Sequence, residues 1–326
     1  MTNPWRIIVR KPGGPDVLER EDINPGAPGE GQALIRITAV GLNFIDTYQR
    51  SGLYALSLPT GLGSELAGVV EAVGPGVTHV SPGQRIAAIL RSPGAYATHI
   101  VMDAASLMPL PDAISDEVAA AAVLKGLTAW MLFEPCAKVQ PGQTVLIHSA
   151  AGGVGSILVP WAKSLGAIVI AHAGNSAKAD RAKSAGADHA LSCDFEVLAQ
   201  QVRDLTDGRG VDVVLDGVGA ASWAASLASV ARRGIIVSYG NASGPVPPVA
   251  PLELARAGSV FLTRPTTFDF TATPEERREG TTRLFSLIAD GTVPIEIGQR
   301  YPLADVIKAH RALESRQTVG STVLIP

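Results

Sequence analysis

The run Val145-Leu146-Ile147-His148, followed by Ser149-Ala150-Ala151-Gly152-Gly153-Val154-Gly155-Ser156 and an amphipathic stretch, constrains this chain more than any other segment. A short apolar strand, a glycine-rich turn and a helix start, in that order, predict the anion-binding turn of a doubly wound sheet. Gly152 lets the backbone approach a phosphate, Gly155 lets the helix pack close to its strand, and the helix N-terminus faces the negative charge. Ala150 stands at the first position of G-x-G-x-x-G, so the turn alone would also fit an ordinary strand-to-helix junction. Its surroundings decide. Strands at 144–148, 167–171, 189–191, 211–216 and 234–239 alternate with helices near 155–165, 176–185, 195–205 and 222–231. Those strands are apolar on both faces, as Val211-Asp212-Val213-Val214-Leu215 illustrates, which suits a parallel sheet covered by helices on each side. Ala151, Gly152, Gly153 and Val154 are therefore candidate cofactor-binding positions.

The first third of the chain has another texture. Strands at 33–40, 68–73, 85–90 and 96–101 lie between Gly/Pro turns such as Pro12-Gly13-Gly14-Pro15 and Gly74-Pro75-Gly76, a pattern that predicts a β-rich, barrel-like domain. An Ala-rich helix at 117–124 leads into an apolar run at 127–133. After 259–263 the alternation stops, and helices near 277–289 and 303–313 and a strand at 321–325 make a tail too short for a domain of its own. A length of 326 residues suits two domains. Expected is a β-rich domain from 1–125 and 266–326, with a dinucleotide-binding domain at 126–265 inserted into it.

A net charge of −3 without a run of Lys or Arg argues against nucleic acid and anionic membrane partners. No signal-peptide pattern opens the chain, and no apolar stretch is expected to reach bilayer length, so a cytoplasmic location is expected. The two cysteines, Cys136 and Cys193, are expected as free thiols and cannot build a four-cysteine zinc lobe.

Cofactor choice is set at the end of the second strand, where an NAD enzyme places an acid on the ribose 2′-hydroxyl. Ala171-His172-Ala173-Gly174-Asn175-Ser176-Ala177-Lys178 holds no acid there. Gly174, Asn175, Ser176 and the cation of Lys178 favour the 2′-phosphate of NADP(H) instead.

Several blocks carry a wider likeness: Gly41-Leu42-Asn43-Phe44-Ile45-Asp46-Thr47-Tyr48-Gln49-Arg50-Ser51-Gly52-Leu53-Tyr54, Gly61-Leu62-Gly63-Ser64-Glu65, Leu124-Lys125-Gly126-Leu127-Thr128, the 150–155 turn, Val237-Ser238-Tyr239-Gly240-Asn241 and Glu314-Ser315-Arg316. In this order and over nearly the whole chain they resemble the quinone oxidoreductases of the medium-chain dehydrogenase/reductase superfamily. The resemblance implies an α/β fold, a GroES-like catalytic domain with an inserted Rossmann domain, and a homodimer, for which edge pairing at 259–263 is one route. Zinc-dependent relatives carry Cys near Asn43 and His before Glu65; here Asn43 and Ser64 leave no tetrahedral site for a catalytic zinc, and Glu65 is expected as a structural hydrogen-bonding group.

By the same resemblance, Asn43, Tyr48 and Tyr54 face the acceptor beside the nicotinamide. Lys125, Thr128, Tyr239 and Asn241 lie along the cofactor, and Arg316 reaches the 2′-phosphate. Relatives carry Tyr near Cys193 as a further phosphate donor, which this chain lacks. The expected activity is zinc-free, NADPH-dependent reduction of a quinone or similar conjugated carbonyl. Reduction of 2-alkenals or enones at C=C is a second reading, and an NADPH-binding redox sensor a third from another class.

Overall fold

A computed structural model describes residues 3–315 and 318–326. The chain divides into two compact units, Met1–Lys125 with Thr271–Ala289 and Ile295–Pro326, and Gly126–Phe270 with Asp290–Pro294.

The first unit opens with β1 (Trp5–Val9) and β2 (Leu18–Asp22), an antiparallel pair joined by β4 (Thr60–Gly61) into a small sheet. Its larger sheet is organised by β3 (Gln32–Leu42), whose Ala33, Ile35 and Ile37 are buried while Gln32 and Arg36 are exposed, the alternation a half-buried strand requires. One edge of β3 pairs with β5 (Glu65–Val73). Its other edge is shared by β7 (His99–Asp103) over residues 32–36 and by the final strand of the chain over residues 40–42. β6 (Arg85–Ile89) and β8 (Met108–Pro109) continue beyond β5. α1 (Phe44–Ser51) leaves the end of β3, and α2 (Asp116–Met131) begins in this unit and continues past its boundary at Lys125.

The second unit is a parallel sheet of β9 (Thr144–Ile147), β10 (Ile168–His172), β11 (His189–Leu191), β12 (Val211–Asp216), β13 (Val230–Ser238) and β14 (Phe261–Thr263), in spatial order β11-β10-β9-β12-β13-β14. Helices α3 (Gly155–Ser164), α4 (Ser176–Ser184), α5 (Phe195–Asp204), α6 (Trp223–Ser229) and α7 (Pro251–Arg256) accompany them. Leu146, Ile170, Val214 and Ile236, one from each of four neighbouring strands, are fully buried in one core cluster. β9 lies between β10 and β12, so the strand order reverses there. In an open α/β sheet that switch point is where ligands bind.

The chain then returns to the first unit with α8 (Pro274–Ala289), β15 (Ile297–Pro302), α9 (Val306–Glu314) and β16 (Ser321–Ile325). β16 lies between β15 and β3, and Leu303, Val306 and Leu324 join the core of Ile35, Leu66 and Ile86.

Several sequence expectations need correction. The strand expected at 96–101 begins at His99, and that at 234–239 begins at Val230, shortening the helix before it. The helix expected from 303 opens as a 3-10 turn, Leu303–Asp305. β1, β2, α1, α7 and β15 were not anticipated. One segment, Asp116–Cys136, does reach membrane-spanning length and apolarity, contrary to expectation; 78% of its apolar window is buried inside the protein, as in a core helix.

Candidate active site

In the first unit the site is built around Glu65, the first residue of β5 and fully buried. Its Oε1 accepts from the Asn43 side-chain amide at 2.7 Å and from Lys125 Nζ at 2.9 Å, and its Oε2 accepts from the Leu124 N–H at 2.7 Å. Lys125 is only 4% exposed, so this carboxylate supplies the anion that a buried ammonium requires. The arrangement depends on Gly41, since a Cβ there would sit 2.1 Å from Glu65 Oε1 and from the Ala120 carbonyl oxygen.

Asn43 is the N-cap of α1 in extended conformation, and its N–H donates to Asp46 Oδ2 at 2.9 Å, one half of a capping box. Ser64 donates to Asp46 Oδ1 at 2.8 Å. Burial pushes the Asp46 carboxyl up to about 6 against the pull of its donors. On the next turn of α1, the half-buried Tyr48 meets Tyr54 edge-on with ring centroids 5.3 Å apart, and the Tyr54 N–H donates to the Tyr48 carbonyl at 3.0 Å.

This residue set does not accommodate a catalytic zinc. Asn43 and Ser64, at the positions of the zinc ligands, direct an amide N–H and a hydroxyl O–H at carboxylates. The oxygens of Glu65 are engaged by an ammonium, an amide and a backbone N–H.

In the second unit, β9 ends in a turn where Ser149 takes φ 51° and Gly152 N–H donates to the Ser149 carbonyl at 2.8 Å. A Cβ on Gly155 would lie 2.3 Å from that carbonyl oxygen, so only glycine lets α3 start so close to its strand. Among the described residues the N–H groups of Ala151, Gly153 and Val154 have no acceptor, although they stand at the head of a ten-residue helix. Unpaired amides at a helix N-terminus fit a phosphate group.

Beyond β10, Gly174, Asn175 and Ser176 are exposed, and Asn175 Oδ1 caps α4 by accepting the Lys178 N–H at 2.9 Å. No carboxylate lies between 172 and 178, so nothing there repels a 2′-phosphate. His172 Nε2 donates to the Cys193 carbonyl at 2.8 Å and ties this loop to the segment after β11. Both cysteines are free thiols, and burial raises the pKa of each.

Tyr239 follows β13, its N–H donating to the Asp216 carbonyl at 2.8 Å; its ring lies where a Cβ on Gly217 would come within 2.7 Å. The Asn241 carbonyl accepts the Gly244 N–H at 3.0 Å. Thr128 and Thr267 share a hydroxyl hydrogen bond of 2.8 Å. Arg316 lies outside the described residues.

The structure thus joins Asn43 to Lys125 through Glu65, and Tyr48 to Tyr54, and gathers Ala151 to Val154 in one turn. Sequence reasoning missed three parts of the scaffold. Asp46 was legible as the fourth residue of Asn-x-x-Asp, a helix-start signal. Tyr96 and His310, on a loop and on α9, have no local signal. Asp216 Oδ1 accepts the N–H groups of Val218 and Gly219 at 2.8 and 3.1 Å and so shapes the loop beneath Tyr239.

Comparison with known proteins shows the family of the chain. Residues 29–112 match the alcohol dehydrogenase GroES-like domain, and residues 153–283 match the zinc-binding dehydrogenase model, whose named metal the residues above do not fit. A quinone oxidoreductase of Pseudomonas aeruginosa is 47% identical over 322 residues, covering 98% of this chain and 99% of the relative. The crystal structure of Escherichia coli quinone oxidoreductase complexed with NADPH superposes with a TM-score of 0.95 at 43% identity, over 99% of this chain and 100% of that one. A 2-haloacrylate reductase of Burkholderia sp is 40% identical, covering 98% of each chain. With likeness of this extent in both units, the chain belongs to the quinone oxidoreductase family of the medium-chain dehydrogenase/reductase superfamily and is an enzyme of that family.

Proposed function

We propose that this enzyme reduces quinones with NADPH and without a metal ion. The observation that carries the reading is the Asn43–Glu65–Lys125 network. Hydrogen-bond donors and a closed ion pair stand where a Lewis acid would otherwise polarise a substrate. NADPH, when bound, supplies a hydride from its nicotinamide ring. The amides of Ala151, Gly153 and Val154, with Gly152 allowing close approach, hold the pyrophosphate. Gly174, Asn175, Ser176 and Lys178, together with Arg316, take the 2′-phosphate. Lys125, Thr128, Tyr239 and Asn241 orient the rest of the dinucleotide. Tyr48 and Tyr54 donate to the acceptor oxygen as it becomes negative, which favours the charge-developing state over the ground state, and Asn43, whose amide N–H groups are taken by Glu65 and the Gly41 carbonyl, fixes the wall beside them. A reduced quinone takes its protons from water, so no dedicated acid is required. The NADPH complex of the Escherichia coli relative supports the cofactor. A second reading, reduction of a conjugated C=C bond, is favoured by the 2-haloacrylate reductase likeness and gives a tyrosine the further task of protonating carbon.

The test follows loss of NADPH absorbance across a panel of quinones and enones, with Tyr54→Phe in parallel. Turnover on quinones is expected, with NADPH bound about tenfold or more tighter than NADH, the worth of one charge-assisted contact. Preference for enones, lost on Tyr54→Phe, moves the assignment to the second reading. Tight NADPH binding without turnover on either panel would overturn both.

A further inference from the structure

One buried chain of side chains in the first unit has no place in the roles above, and it begins in the C-terminal tail. Arg50 on α1 is 2% exposed, and its Nη2 pairs with Glu314 on α9 at 2.5 Å. Its Nε donates to the Gly13 carbonyl at 3.0 Å, and its Nη1 meets His310 Nδ1 at 2.8 Å. A guanidinium can only donate, so Nδ1 is the acceptor and the ring proton of His310 sits on Nε2. That nitrogen faces Tyr96 Oη at 3.1 Å, with the two rings perpendicular. The Tyr96 O–H then donates to Asp46 Oδ2 at 2.9 Å, the same oxygen that accepts the Asn43 N–H at 2.9 Å. Every proton in the chain points one way, from Arg50 to Asp46. His310, Tyr96, Asp46 and Ser64 are all at 0% exposure, so water cannot replace a lost link.

We propose that His310 and Tyr96 are positioning residues for acceptor reduction: by donating through Tyr96 to Asp46 they keep that carboxylate an acceptor and so hold Asn43 at the head of α1 with its amide on Glu65. The proposal rests on the reading of Asn43 as a residue beside the acceptor. Asp46 is faced by Asn43 from its own segment, by Ser64 just before β5 and Glu65 at its start, by Tyr96 from the loop before β7 and, through Tyr96, by His310 from α9; the Arg50 cation acts on Tyr96 and His310, and Lys125 is paired with Glu65. Burial and then the Arg50 cation push His310 down to about 3, which keeps the ring neutral and the direction of donation fixed. Asp46 is already raised to about 6 by burial, so deleting one of its donors raises it further. A protonated Oδ2 would present a donor to the Asn43 N–H, and the capping contact would fail.

Tyr96→Phe keeps the ring and removes only the O–H. Expected in quinone reduction is a kcat about tenfold lower with the KM for NADPH unchanged, and an acid limb of kcat/KM moved upward by about one pH unit. In the protein without cofactor, amide exchange at Asn43 accelerates and the Asp46 carboxyl, followed by carbon NMR, titrates at higher pH. His310→Leu reproduces these changes; should it fail to fold, Tyr96→Phe stands alone. Wild-type kcat, pH profile and Asn43 exchange in Tyr96→Phe overturn the proposal, even if the variant melts at lower temperature. If the wild-type enzyme reduces no quinone, the functional reading fails by itself, while exchange and carboxyl titration still decide whether Tyr96 controls Asp46.

Discussion

Lys125 shows how far a single residue can be read. Its place between an Ala-rich helix and Gly126 already demands an anionic partner, because a buried ammonium without one is costly. The partner is Glu65, sixty positions away and joined at 2.9 Å, and nothing local in the sequence selects that acid. Breaking such a pair from one side leaves a buried charge. Glu65→Gln is therefore expected to lower stability by about 3–5 kcal/mol, seen as a fall in the urea midpoint at constant slope. Glu65→Gln combined with Lys125→Met should recover most of that loss, and a double variant no better than the single would contradict the ion-pair account. Asn43 belongs to the same network: its amide adds a neutral donor to an oxygen that the ammonium already shares.

At the scale of elements, the anion-binding turn was legible because each of its requirements is a local one: an apolar strand, glycines where backbone must approach backbone, and a helix start. α1 was not legible, although it carries Tyr48. Its buried face holds Asp46, Thr47, Gln49 and Arg50 rather than apolar side chains, so hydrophobic periodicity has nothing to register. Those polar groups are tolerable only because Ser64, the Gly13 carbonyl, α9 and the Tyr96 loop supply them with partners. β2 was missed for a related reason. Leu18-Glu19-Arg20-Glu21-Asp22 is charged at four of five positions and is held by pairing to β1, with Arg6 on Glu21 at 2.6 Å. α2 was legible only in part, as a helix at 117–124 and an apolar run at 127–133; the two are continuous, and the apolarity that serves burial inside the protein also gives the segment the composition of a membrane span.

For the whole molecule, the buried histidines decide the response to acid. His310 is pushed down to about 3 and His148 to about 4, both chiefly by burial, so below the ordinary histidine range the unfolded chain binds protons that the folded one refuses. Their contribution to stability is complete above about pH 6.5 and is lost as pH falls toward those values. Asp46 works against them, because the folded state accepts its proton near pH 6, before the unfolded chain does. The histidine shifts are the larger, so the melting temperature is expected to fall steadily from pH 6.5 downward, and calorimetry showing it level between pH 7 and 5 would contradict this balance. Association is the second expectation at this scale. β14 is the outer strand of its sheet and exposes Phe261 to 61%, with Leu252 at 58%. An uncovered apolar edge of this kind suits pairing with a second copy, so sedimentation at micromolar concentration should give a dimer that Phe261→Lys converts to monomer; a wild-type monomer would refute the pairing. The place of β16 between β15 and β3 also carries a consequence for synthesis. The sheet begun by the first hundred residues lacks β15 and β16 until residues 297–325 are made. At about 5–20 residues per second, the end of β3 at Leu42 waits roughly fifteen to fifty-five seconds for β16, which starts at Ser321. The nascent first half is then a natural client for chaperones, whereas the parallel sheet, contiguous in the chain, can close behind it without delay.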